Sequence, residues 1–383
     1  MIKAPIKFLM VTDTPMIKIN HKTKIFEPVL REVENFEHLF SKITWIGYDF
    51  TNTEKYFTSR LTNVKKINFI LLPRTGGKGW KEKLKLIYKL IPYLLVIMKN
   101  IRTHDFIHSR GPSFPAFITI ILSIFFKKKN FWHKYAGNWN QTNPPFSYYL
   151  QTILLSSVVI NNSIITINGK WPNQKRNILS FENPCLTETE LEEANYKFLK
   201  KDYKEKINFC FVGRIENSKG VGRVIKAFQS ISDFSQIGHL YFVGDGSEMS
   251  YFKNQANKIN HKKITFCGSL NRTDLNNIYK ECHVILLPTS ASEGFPKVLA
   301  EAMAHGCVPI VSNIGCIAQY VDKRNGIILD HIDAINTKES IKLVLLNRRI
   351  LKEKAIFGIT SAKLFSFESY NNKISQMIMH HDK

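Results

Sequence analysis

The sequence predicts an α/β protein made of two doubly wound domains, each a largely parallel sheet covered by helices. The chain has 383 residues, more than twice the ~150 residues typical of one domain. Hydrophobic residues make up 44% and charged residues 22%, which is ordinary for a globular protein that buries cores. Short apolar runs alternate with segments of helical period, and this alternation is typical of βαβ units.

The front half contains six apolar runs that we interpret as strands. They span residues 6–13, 43–49, 67–73, 105–110, 131–137 and 163–169. Between the first two runs, apolar residues recur every three or four positions after Pro28, which predicts an amphipathic helix. The repeating residues are Val29, Val33, Phe36 and Phe40.

A strongly charged segment at 182–206 interrupts this pattern and has little apolar face, so we place the domain boundary there. A second series of apolar runs then begins, at 207–213, 239–246, 264–268, 282–288, 307–312 and 325–330. These runs are nearly continuous, as expected for parallel strands buried on both faces. The predicted domains are therefore residues 1–185 and 200–364.

The chain is strongly basic, with 54 Lys plus Arg against 31 Asp plus Glu and a net charge of +23. Such an excess favours a polyanionic partner: a nucleic acid, an anionic membrane or a phosphorylated substrate. Alternatively, part of it reflects a lysine-rich composition. A nucleic-acid-binding protein would need a basic stripe interleaved with aromatics or a known motif, and the sequence shows neither.

The six cysteines show no C-x-x-C pairing and no histidine spacing suited to zinc. Four of them lie inside strand-like runs, which predicts reduced core thiols and a cytoplasmic protein: Cys210, Cys267, Cys282 and Cys307. The first residues are too quickly polar for a cleaved signal peptide, and we interpret them as the first strand.

Two apolar segments, at 91–98 and 114–126, are shorter than the ~20 residues of a membrane-spanning helix. We expect both to pack in a core. The alternative is that one lies at an anionic membrane surface, because each is flanked by basic residues. These are Lys81, Lys83, Lys85 and Lys89 before the first segment, and Lys127, Lys128 and Lys129 after the second.

The segment SEGFPKVLAEAMAHGCVPIV at 292–311 follows a strand and predicts a helix that begins at Pro296 and ends before Gly306. Free N–H groups and the helix dipole at such a start favour a phosphate or a hydroxyl-rich ligand. Glu293 precedes the helix and Glu301 lies within it, so two carboxylates could accept hydrogen bonds from an extended ligand. Alternatively, Glu301 is a solvated helical residue and Glu293 a loop charge.

A second motif, VGRIENSKGVGRVIKAF at 212–228, places Arg214 and Lys219 on either side of one βα loop. A guanidinium and an ammonium group there can neutralise a diphosphate, although either residue alone would pass for a surface charge. The glycine-containing turn VGDGSE at 243–248 and the loop FCGSL at 266–270 each follow a strand. The latter could bring backbone groups near a nucleotide base.

Together these four motifs resemble the donor-binding half of a family 4 glycosyltransferase (glycosyltransferases group 1) with the GT-B fold. The resemblance covers roughly residues 207–329, whereas the front half matches only in architecture. It implies two facing Rossmann-like domains, a UDP- or GDP-sugar donor, no cofactor, and transfer without a metal and with retention of configuration. The segment at 365–378 resembles the family's C-terminal helix, which crosses back to the first domain, so residues 365–383 would belong partly to that domain.

The resemblance also assigns roles to residues of the second domain. Arg214 and Lys219 would hold the diphosphate, and Glu301 the ribose hydroxyls. Glu293 and the backbone amides after it would contact the donor sugar, which makes Arg214, Lys219 and Glu293 the catalytic set. The full predicted donor site is Gly213, Arg214, Lys219, Gly244, Gly246, Gly268, Leu270, Glu293, Gly294, Phe295, Pro296, Lys297 and Glu301. Lys297 opposes the helix dipole, and we hypothesise that it faces a donor or acceptor anion.

The front domain departs from the family pattern. Many members carry a histidine near the donor sugar at a position that falls here on Ala136 or Gly137, while strand alternation points His133 elsewhere. The catalytic base is therefore unassigned, and the usual Gly-Gly loop is replaced by TDTP at 12–15. Predicted acceptor-side residues are Thr12, Asp13, Thr14, His108, Arg110, Asn138 and Trp139. His108 and Arg110 would meet a phosphorylated acceptor, with core packing as the alternative for the histidine.

The predicted function is transfer of a hexosyl group from a nucleotide-diphospho-sugar to a saccharide or lipid-linked acceptor. The resemblance suggests bacterial surface polysaccharide synthesis, as in capsule or lipopolysaccharide assembly. The expected location is the cytoplasm, with peripheral attachment to the cytoplasmic face of the inner membrane as a further expectation. Two alternatives stay open: a GT-B-type sugar-nucleotide epimerase and a basic nucleic-acid-binding protein.

Overall fold

The computed structural model describes residues 6–53, 59–75, 80–160, 162–259 and 263–381, with side chains except at 80–87 and 379–381. The chain divides into two compact units. Unit 1 comprises residues 1–182 and 370–383, and unit 2 comprises residues 183–369. Each unit contains its own sheet.

Nine strands form the sheet described in unit 1: β1 (Lys7–Ile19), β2 (Lys22–Phe26), β3 (Lys42–Asp49), β4 (Ser59–Leu61), β5 (Ile67–Pro73), β6 (Phe106–Gly111), β7 (Asn130–Tyr135), β8 (Ile164–Ile167) and β9 (Ile178–Ser180). Seven are parallel, in the spatial order β5-β3-β1-β6-β7-β8-β9. The chain therefore winds outward in both directions from β1, and ligands bind such sheets at the carboxyl ends of the strands. β2 pairs antiparallel with the end of β1, β4 pairs antiparallel with β2, and the sequence did not predict either strand.

The helices that precede residue 183 are α1 (Glu27–Phe36), α2 (Trp80–Thr103), α3 (Phe114–Phe125) and α4 (Phe146–Leu155). Helix α1 buries Val29, Val33 and Phe36 on one face, which confirms the amphipathic helix predicted there. A 3-10 turn at Glu37–Leu39 follows the helix. Phe40, the next residue, is buried in one core cluster with the apolar face of α1.

The two apolar segments pack in the core, as predicted. Most of α3 is buried, and α2 is amphipathic, with Tyr93 and Ile97 buried and Ile91 and Leu95 exposed. Among the described residues, no helix is both long enough and apolar enough to cross a membrane. Of the flanking lysines, Lys127 and Lys128 are exposed, Lys89 and Lys129 donate to main-chain carbonyls, and the side chains of Lys81, Lys83 and Lys85 lie outside those described.

The described residues of unit 2 form six parallel strands, all at the predicted positions: β10 (Ile207–Val212), β11 (Ile237–Val243), β12 (Ile264–Gly268), β13 (Val284–Leu287), β14 (Val308–Ser312) and β15 (Ile327–Leu329). Their spatial order, β12-β11-β10-β13-β14-β15, is the 3-2-1-4-5-6 order of dinucleotide-binding sheets. The helices are α5 (Glu188–Phe198), α6 (Val221–Gln229), α7 (Met249–Asn257), α8 (Arg272–Glu281), α9 (Lys297–Ala304), α10 (Ile317–Tyr320), α11 (Ala334–Leu346) and α12 (Arg348–Ala362). Every residue of β13 and β14 is buried, which matches the continuous apolar runs.

Helix α5 corrects our expectation that the charged segment has little apolar face. Thr187 caps the helix through Oγ1, which accepts from the Glu190 N–H (3.1 Å), and the Glu190 carboxylate accepts from the Thr187 N–H (2.8 Å). This capping box starts a helix that buries Leu191, Ala194 and Phe198 in unit 2. The charges lie on its outer side, so composition alone concealed the helix.

The last helix, α13 (Phe367–His381), packs in unit 1, although most of unit 2 precedes it in the chain. Tyr370, Ile374 and Met377 are buried in one cluster with Phe8 and Phe36. This placement confirms the prediction that the C-terminal helix returns to the first domain.

A buried ionic network ties α13 to the sheet of unit 1. Both oxygens of the Glu32 carboxylate are engaged: Lys134 Nζ donates at 2.6 Å, Arg110 Nη1 at 3.0 Å and Tyr370 Oη at 2.9 Å. The Glu32 side chain is fully buried, and those of Lys134 and Arg110 are 3% and 13% exposed. Because three elements supply the donors, the carboxylate fixes α13 relative to β6 and β7.

Candidate functional site

The loops at the carboxyl edge of the unit 2 sheet pack backbone against backbone. The Gly213 N–H donates to the Val243 carbonyl (2.9 Å), and the Gly244 N–H donates to the Gly268 carbonyl (2.8 Å). Gly244 has φ +128, and a Cβ there would overlap the Gly213 carbonyl oxygen. Gly246 similarly leaves no room for a Cβ against residue 215. These four of the five predicted glycines thus lie together and let three loops approach one another closely.

Lys219 and Glu293 meet at this edge as an ion pair between Nζ and Oε1. Lys219 ends a 3-10 turn, and Gly220 follows with φ +98, packed so tightly on Pro288 that no Cβ would fit. The loop after β10 therefore rests directly on the segment after β13. Only 15% of the Lys219 side chain and 16% of the Glu293 side chain are exposed. The fold brings these two predicted residues together from positions 74 apart in the sequence.

The remaining predicted donor residues differ in how much of each side chain is exposed. Arg214 is 64% exposed and pairs with Glu216 at 2.7 Å between Nη1 and Oε1. Leu270 is half-buried after β12. Lys297 is also half-buried, and its main-chain carbonyl accepts from Cys185 Sγ (3.7 Å).

The segment after β14 packs against the loop that precedes α9. The Gly294 carbonyl accepts from both the N–H and the Sγ of Cys316, each at 3.4 Å. Gly315, with φ +59, passes so close to the Glu293 carbonyl that a Cβ would overlap it. These contacts hold the main chain of Glu293 in place.

Phe295 turns its ring inward, where it is buried and stacks on Phe365 with centroids 4.3 Å apart. The ring is therefore not available to contact a ligand. Pro296 corrects the predicted start of the helix by one residue: its ψ of 118 is extended, so it is the N-cap and α9 begins at Lys297.

Glu301 is buried on α9, which rules out the alternative that it is a solvated helical residue. Its Oε1 pairs with Arg272 Nη1 (2.7 Å), and Tyr279 Oη donates to Oε2 (3.4 Å). Arg272 also pairs with Glu190 (3.0 Å). Burial lowers the pKa of Arg272, but the Glu301 and Glu190 carboxylates outweigh burial and raise it above its ordinary value.

Sequence reasoning missed Arg272 and Tyr279 as partners of this carboxylate. Both lie on α8, where Asn271 caps the helix by accepting from the Asp274 N–H (3.0 Å). Arg272 is the first residue of α8. The sequence signal that could have pointed to it is the helix-capping residue Asn271 followed directly by a cation.

On the unit 1 side, Thr12 and Thr14 are not free to contact an acceptor. Thr12 Oγ1 accepts from Trp45 Nε1 (3.0 Å) and donates to the Ile46 carbonyl (3.2 Å). Thr14 is buried as well, and its N–H donates to Thr12 Oγ1 (3.1 Å). Strand alternation turns both inward and leaves Asp13 exposed on the other side.

The expectation that His108 and Arg110 meet an acceptor phosphate is not supported. His108 is fully buried within β6, where Nδ1 faces the Trp132 carbonyl (3.1 Å), and burial holds its pKa well below the ordinary value. The Arg110 guanidinium is committed to Glu32. His133 points into the core, as strand alternation predicted, and burial lowers its pKa to about 3.

Asn138 and Trp139 lie in the segment after β7, both half-buried. Asn138 Oδ1 accepts from the Asn140 N–H (3.1 Å), and the Trp139 ring packs edge-on against Tyr135 with centroids 5.4 Å apart. Both side chains have local structural partners. Their contact with a sugar stays a prediction.

Unit 1 contains a cavity of about 240 Å³ that sequence reasoning did not find beyond Asp13. Its walls include Asp13, Tyr48, Phe117 and Tyr148. In unit 2, a larger cavity of about 550 Å³ lies between α6, α7 and the start of α11, and none of the predicted donor residues lines it. Among the described residues, no cluster of three or more His, Cys, Asp or Glu side chains could hold a metal ion.

Residues 192–359 match the family described as Glycosyl transferases group 1. The matched segment contains Arg214, Lys219, Glu293 and Glu301. This segment belongs to the group 1 glycosyltransferase family. The group 1 segment thus includes every predicted donor residue and lies within unit 2.

Two relatives of the chain are named as glycosyltransferases. An uncharacterized glycosyltransferase of Methanocaldococcus jannaschii is 29% identical over 181 residues, 47% of this chain and 45% of that protein. The lipopolysaccharide 1,2-N-acetylglucosaminetransferase of Salmonella typhimurium is 25% identical over 169 residues, 42% of this chain and 44% of that enzyme. The alignments therefore span less than half the length of these relatives.

Among solved structures, HepE from Anabaena in complex with UDP-glucose superposes with a TM-score of 0.69. The match covers 98% of this chain and 100% of HepE at 14% sequence identity, so the likeness is one of fold. The protein thus has the two Rossmann-like domains of a GT-B glycosyltransferase.

Proposed function

We propose that the protein is a retaining, metal-independent hexosyltransferase that moves a sugar from a nucleotide-diphospho-sugar to a saccharide or lipid-linked acceptor. The observation that carries this proposal is the Lys219–Glu293 ion pair, set among close-packed glycine loops at the carboxyl edge of the unit 2 sheet. That edge is where sheets of this topology bind ligands. Membership of residues 192–359 in the group 1 family supports it.

Lys219 and Glu293 have complementary tasks in this scheme. The ammonium group of Lys219 moves from the Glu293 carboxylate to the donor diphosphate, where it stabilises the charge of the departing group together with Arg214. The released carboxylate of Glu293 then accepts hydrogen bonds from the donor sugar hydroxyls. The ion pair therefore keeps both groups in position before the donor binds.

Glu301 is suited to the nucleoside end of the donor. A buried carboxylate fixed by Arg272 and Tyr279 presents a rigid acceptor for two neighbouring hydroxyl groups, such as those of ribose. The main-chain N–H groups at the start of α9 add the positive end of a helix dipole beside the diphosphate.

The donor is a UDP- or GDP-sugar, and UDP is favoured because HepE, which has the same fold, was solved with UDP-glucose. The Salmonella relative, named a lipopolysaccharide N-acetylglucosaminetransferase, supports a role in bacterial surface polysaccharide synthesis. Such synthesis would place the protein at the cytoplasmic face of the inner membrane.

A patch of unit 1 is suited to an anionic lipid surface. Phe125, Val158 and Val159 are exposed, and both valines line a small cavity together with Lys127. Lys128 is exposed beside them. Exposed apolar groups next to lysines bind the interface of a membrane that carries negative lipids, and the net charge of +23 favours the same partner.

The membrane proposal is tested by sedimentation with phosphatidylcholine vesicles that contain or lack phosphatidylglycerol. Replacing Lys127 and Lys128 together with glutamate should weaken binding to the anionic vesicles by at least roughly tenfold, because each lysine contributes about 1 kcal/mol. The control replaces Lys253 and Lys352, exposed lysines of unit 2, in the same way. Equal binding to both kinds of vesicle would refute the proposal.

The transferase proposal is tested by following hydrolysis of UDP-glucose, UDP-N-acetylglucosamine and GDP-mannose by the full chain. Lys219→Ala and Glu301→Gln should each slow turnover by roughly 10²–10³-fold, the loss typical of removing one transition-state donor or anchor. Lys226→Ala and Glu193→Ala, which remove exposed charges from the same unit, are the matched controls. Full turnover in both site variants would refute the assignment.

Product analysis separates the alternatives. NMR of the reaction mixture distinguishes free UDP plus sugar from an epimerised sugar nucleotide, which is what an epimerase would release. A gel shift with duplex and single-stranded DNA at physiological salt tests the nucleic-acid alternative.

A further inference from the structure

The cavity of about 240 Å³ in unit 1 lies at the carboxyl ends of four neighbouring parallel strands. Asp13 reaches it from an irregularity in β1, where the register with β3 shifts between Val11 and Pro15. Tyr48 comes from β3, Thr75 from the segment after β5, and Phe117 from α3. The cavity thus has the position expected of a ligand site in its own sheet.

Its polar walls are held in fixed orientations. Gln151 is buried, its Oε1 accepts from the Ser113 N–H (3.3 Å), and its Nε2 donates to the Ser147 carbonyl (3.2 Å). Tyr48 Oη and Thr75 Oγ1 share a hydrogen bond. These groups are preorganised, so a ligand would not have to order them.

Aromatic rings supply the apolar part of the walls. Phe114, Phe117 and Tyr148 line the cavity and are half-buried. Burial and the nearby Asp13 charge raise the pKa of Tyr148, and burial raises that of Tyr48, so both phenols stay neutral. Flat rings beside neutral hydroxyl groups match a sugar ring, which has an apolar C–H face and a polar edge.

Asp13 is the one charged group among the described lining residues. Asp13 is exposed where it lines the cavity. Burial by the surrounding protein atoms raises the pKa of its carboxyl group, and the positive charge of Arg110 opposes that rise. Arg110 is itself occupied by Glu32, so the described walls offer a phosphate group no cation. A carboxylate accepts hydrogen bonds from neighbouring hydroxyls but repels an anion.

We propose that this cavity binds an uncharged sugar ring of the acceptor, with Asp13 accepting from its hydroxyls and Tyr148 packing on its C–H face. This inference rests on the proposed transferase function and names the chemistry of its acceptor. A phosphate or diphosphate of a lipid-linked acceptor would lie outside the cavity.

The test measures binding of methyl glycosides of glucose, galactose, mannose and N-acetylglucosamine to the full chain by saturation-transfer NMR. At least one should bind, and Asp13→Ala and Tyr148→Ala should each weaken it by roughly tenfold, the effect of losing one charged hydrogen bond or one aromatic contact. Tyr149→Ala is the matched control, because Tyr149 is the neighbouring residue of α4 but is exposed and does not line the cavity. Asp105→Ala removes an exposed carboxylate at the opposite edge of the sheet.

Glucose 1-phosphate is the charged probe. It should bind more weakly than the neutral glycosides, and Asp13→Asn should tighten it by roughly fivefold, the factor for removing one like charge about 4 Å away in water. Glycoside binding that is unchanged by Asp13→Ala and Tyr148→Ala, or a preference for glucose 1-phosphate in the unmodified protein, would overturn the inference.

Hydrolysis of UDP-sugars is measured on the same preparations. If hydrolysis occurs but the glycoside results fail, the acceptor inference is wrong and the transferase proposal stands. If no nucleotide sugar is hydrolysed while glycosides bind in an Asp13-dependent way, the transferase proposal fails and the cavity is a sugar site of another kind.

Discussion

Replacing Glu32 with alanine should destabilise unit 1 by about 3–5 kcal/mol, the range for removing one partner of a buried ion pair. The carboxylate is fully buried and accepts from Lys134, Arg110 and Tyr370. Its removal takes the Glu32 carboxylate away from the Lys134 ammonium, which is only 3% exposed. The cost arises mainly from the loss of this buried charge pairing rather than from lost packing.

Tryptophan fluorescence is a suitable assay because all five tryptophans lie within residues 1–182. The signal therefore reports unit 1 alone during urea or thermal unfolding. For a unit of this size, each kcal/mol shifts Tm by about 2–4 °C, so Glu32→Ala should lower Tm by roughly 6–20 °C. Trp132 lies 6.4 Å from Tyr370 between ring centroids and should sense the loss of α13 directly.

The control is Glu27→Ala in the same helix. Glu27 is partly exposed and lies 3.7 Å from Arg60, so its removal should cost about 1 kcal/mol or less. If Glu32→Ala lowered the free energy of unfolding by less than about 1 kcal/mol, with an unchanged m-value, this would contradict the interpretation that the buried Glu32, Lys134 and Arg110 side chains are all charged and shielded from water.

Three further predictions concern single contacts and pH. Tyr370→Phe should cost about 1–3 kcal/mol by tryptophan fluorescence, because the lost hydroxyl donates to a buried carboxylate; no loss would mean that Lys134 and Arg110 satisfy it alone. Gly244→Ala should destabilise unit 2 by about 3 kcal/mol and Gly268→Ala by only about 1, since both have positive φ but only Gly244 meets a carbonyl where Cβ would lie; equal midpoints in circular-dichroism melts would refute this. Burial holds the pKa of His283 and His305 at about 4, so the unfolded chain takes up protons below about pH 6.5 and the folded one does not. Stability is then present above pH 6.5 and is lost toward pH 4, by up to about 1.4 kcal/mol per pH unit for each histidine, and His305→Asn should flatten that dependence in urea titrations.

The sequence predicted the strands of unit 2 because runs such as 207–213 and 307–312 are apolar throughout, which leaves few alternatives. The face of α1 was equally readable from its spacing. Strands β2 and β4 were missed because they are short strands of mixed composition, stabilised by pairing rather than by a hydrophobic pattern. Helix α5 was missed because its charges dominate its composition, although Thr187 and Glu190 form a capping box.

The structure brings predicted site residues together where one short motif held both the residue and the turn or helix start that positions it, while their roles stay predictions. Lys219 and Glu293 belong to such motifs, and the structure joins them. For His108 and Arg110 the prediction of an acceptor contact was not supported. A basic pair at a strand end has the same sequence pattern whether it binds a ligand or a buried carboxylate. The deciding partner, Glu32, lies 78 residues before Arg110. The sugar-sized cavity was hidden for the same reason, because its walls come from five separate segments.

The position of α13 in unit 1 has a consequence for biosynthesis. Chains leave the ribosome N-terminus first, at roughly 5–20 residues per second. After residue 182 is made, unit 1 therefore waits for about 190 further residues, or roughly 10–40 seconds, before Tyr370 and Ile374 can complete its core. Unit 2 is continuous in sequence and can fold during this interval. The half of the protein that is made first is thus finished last, and until then the Trp132 and Phe181 rings lack their contact with Tyr370.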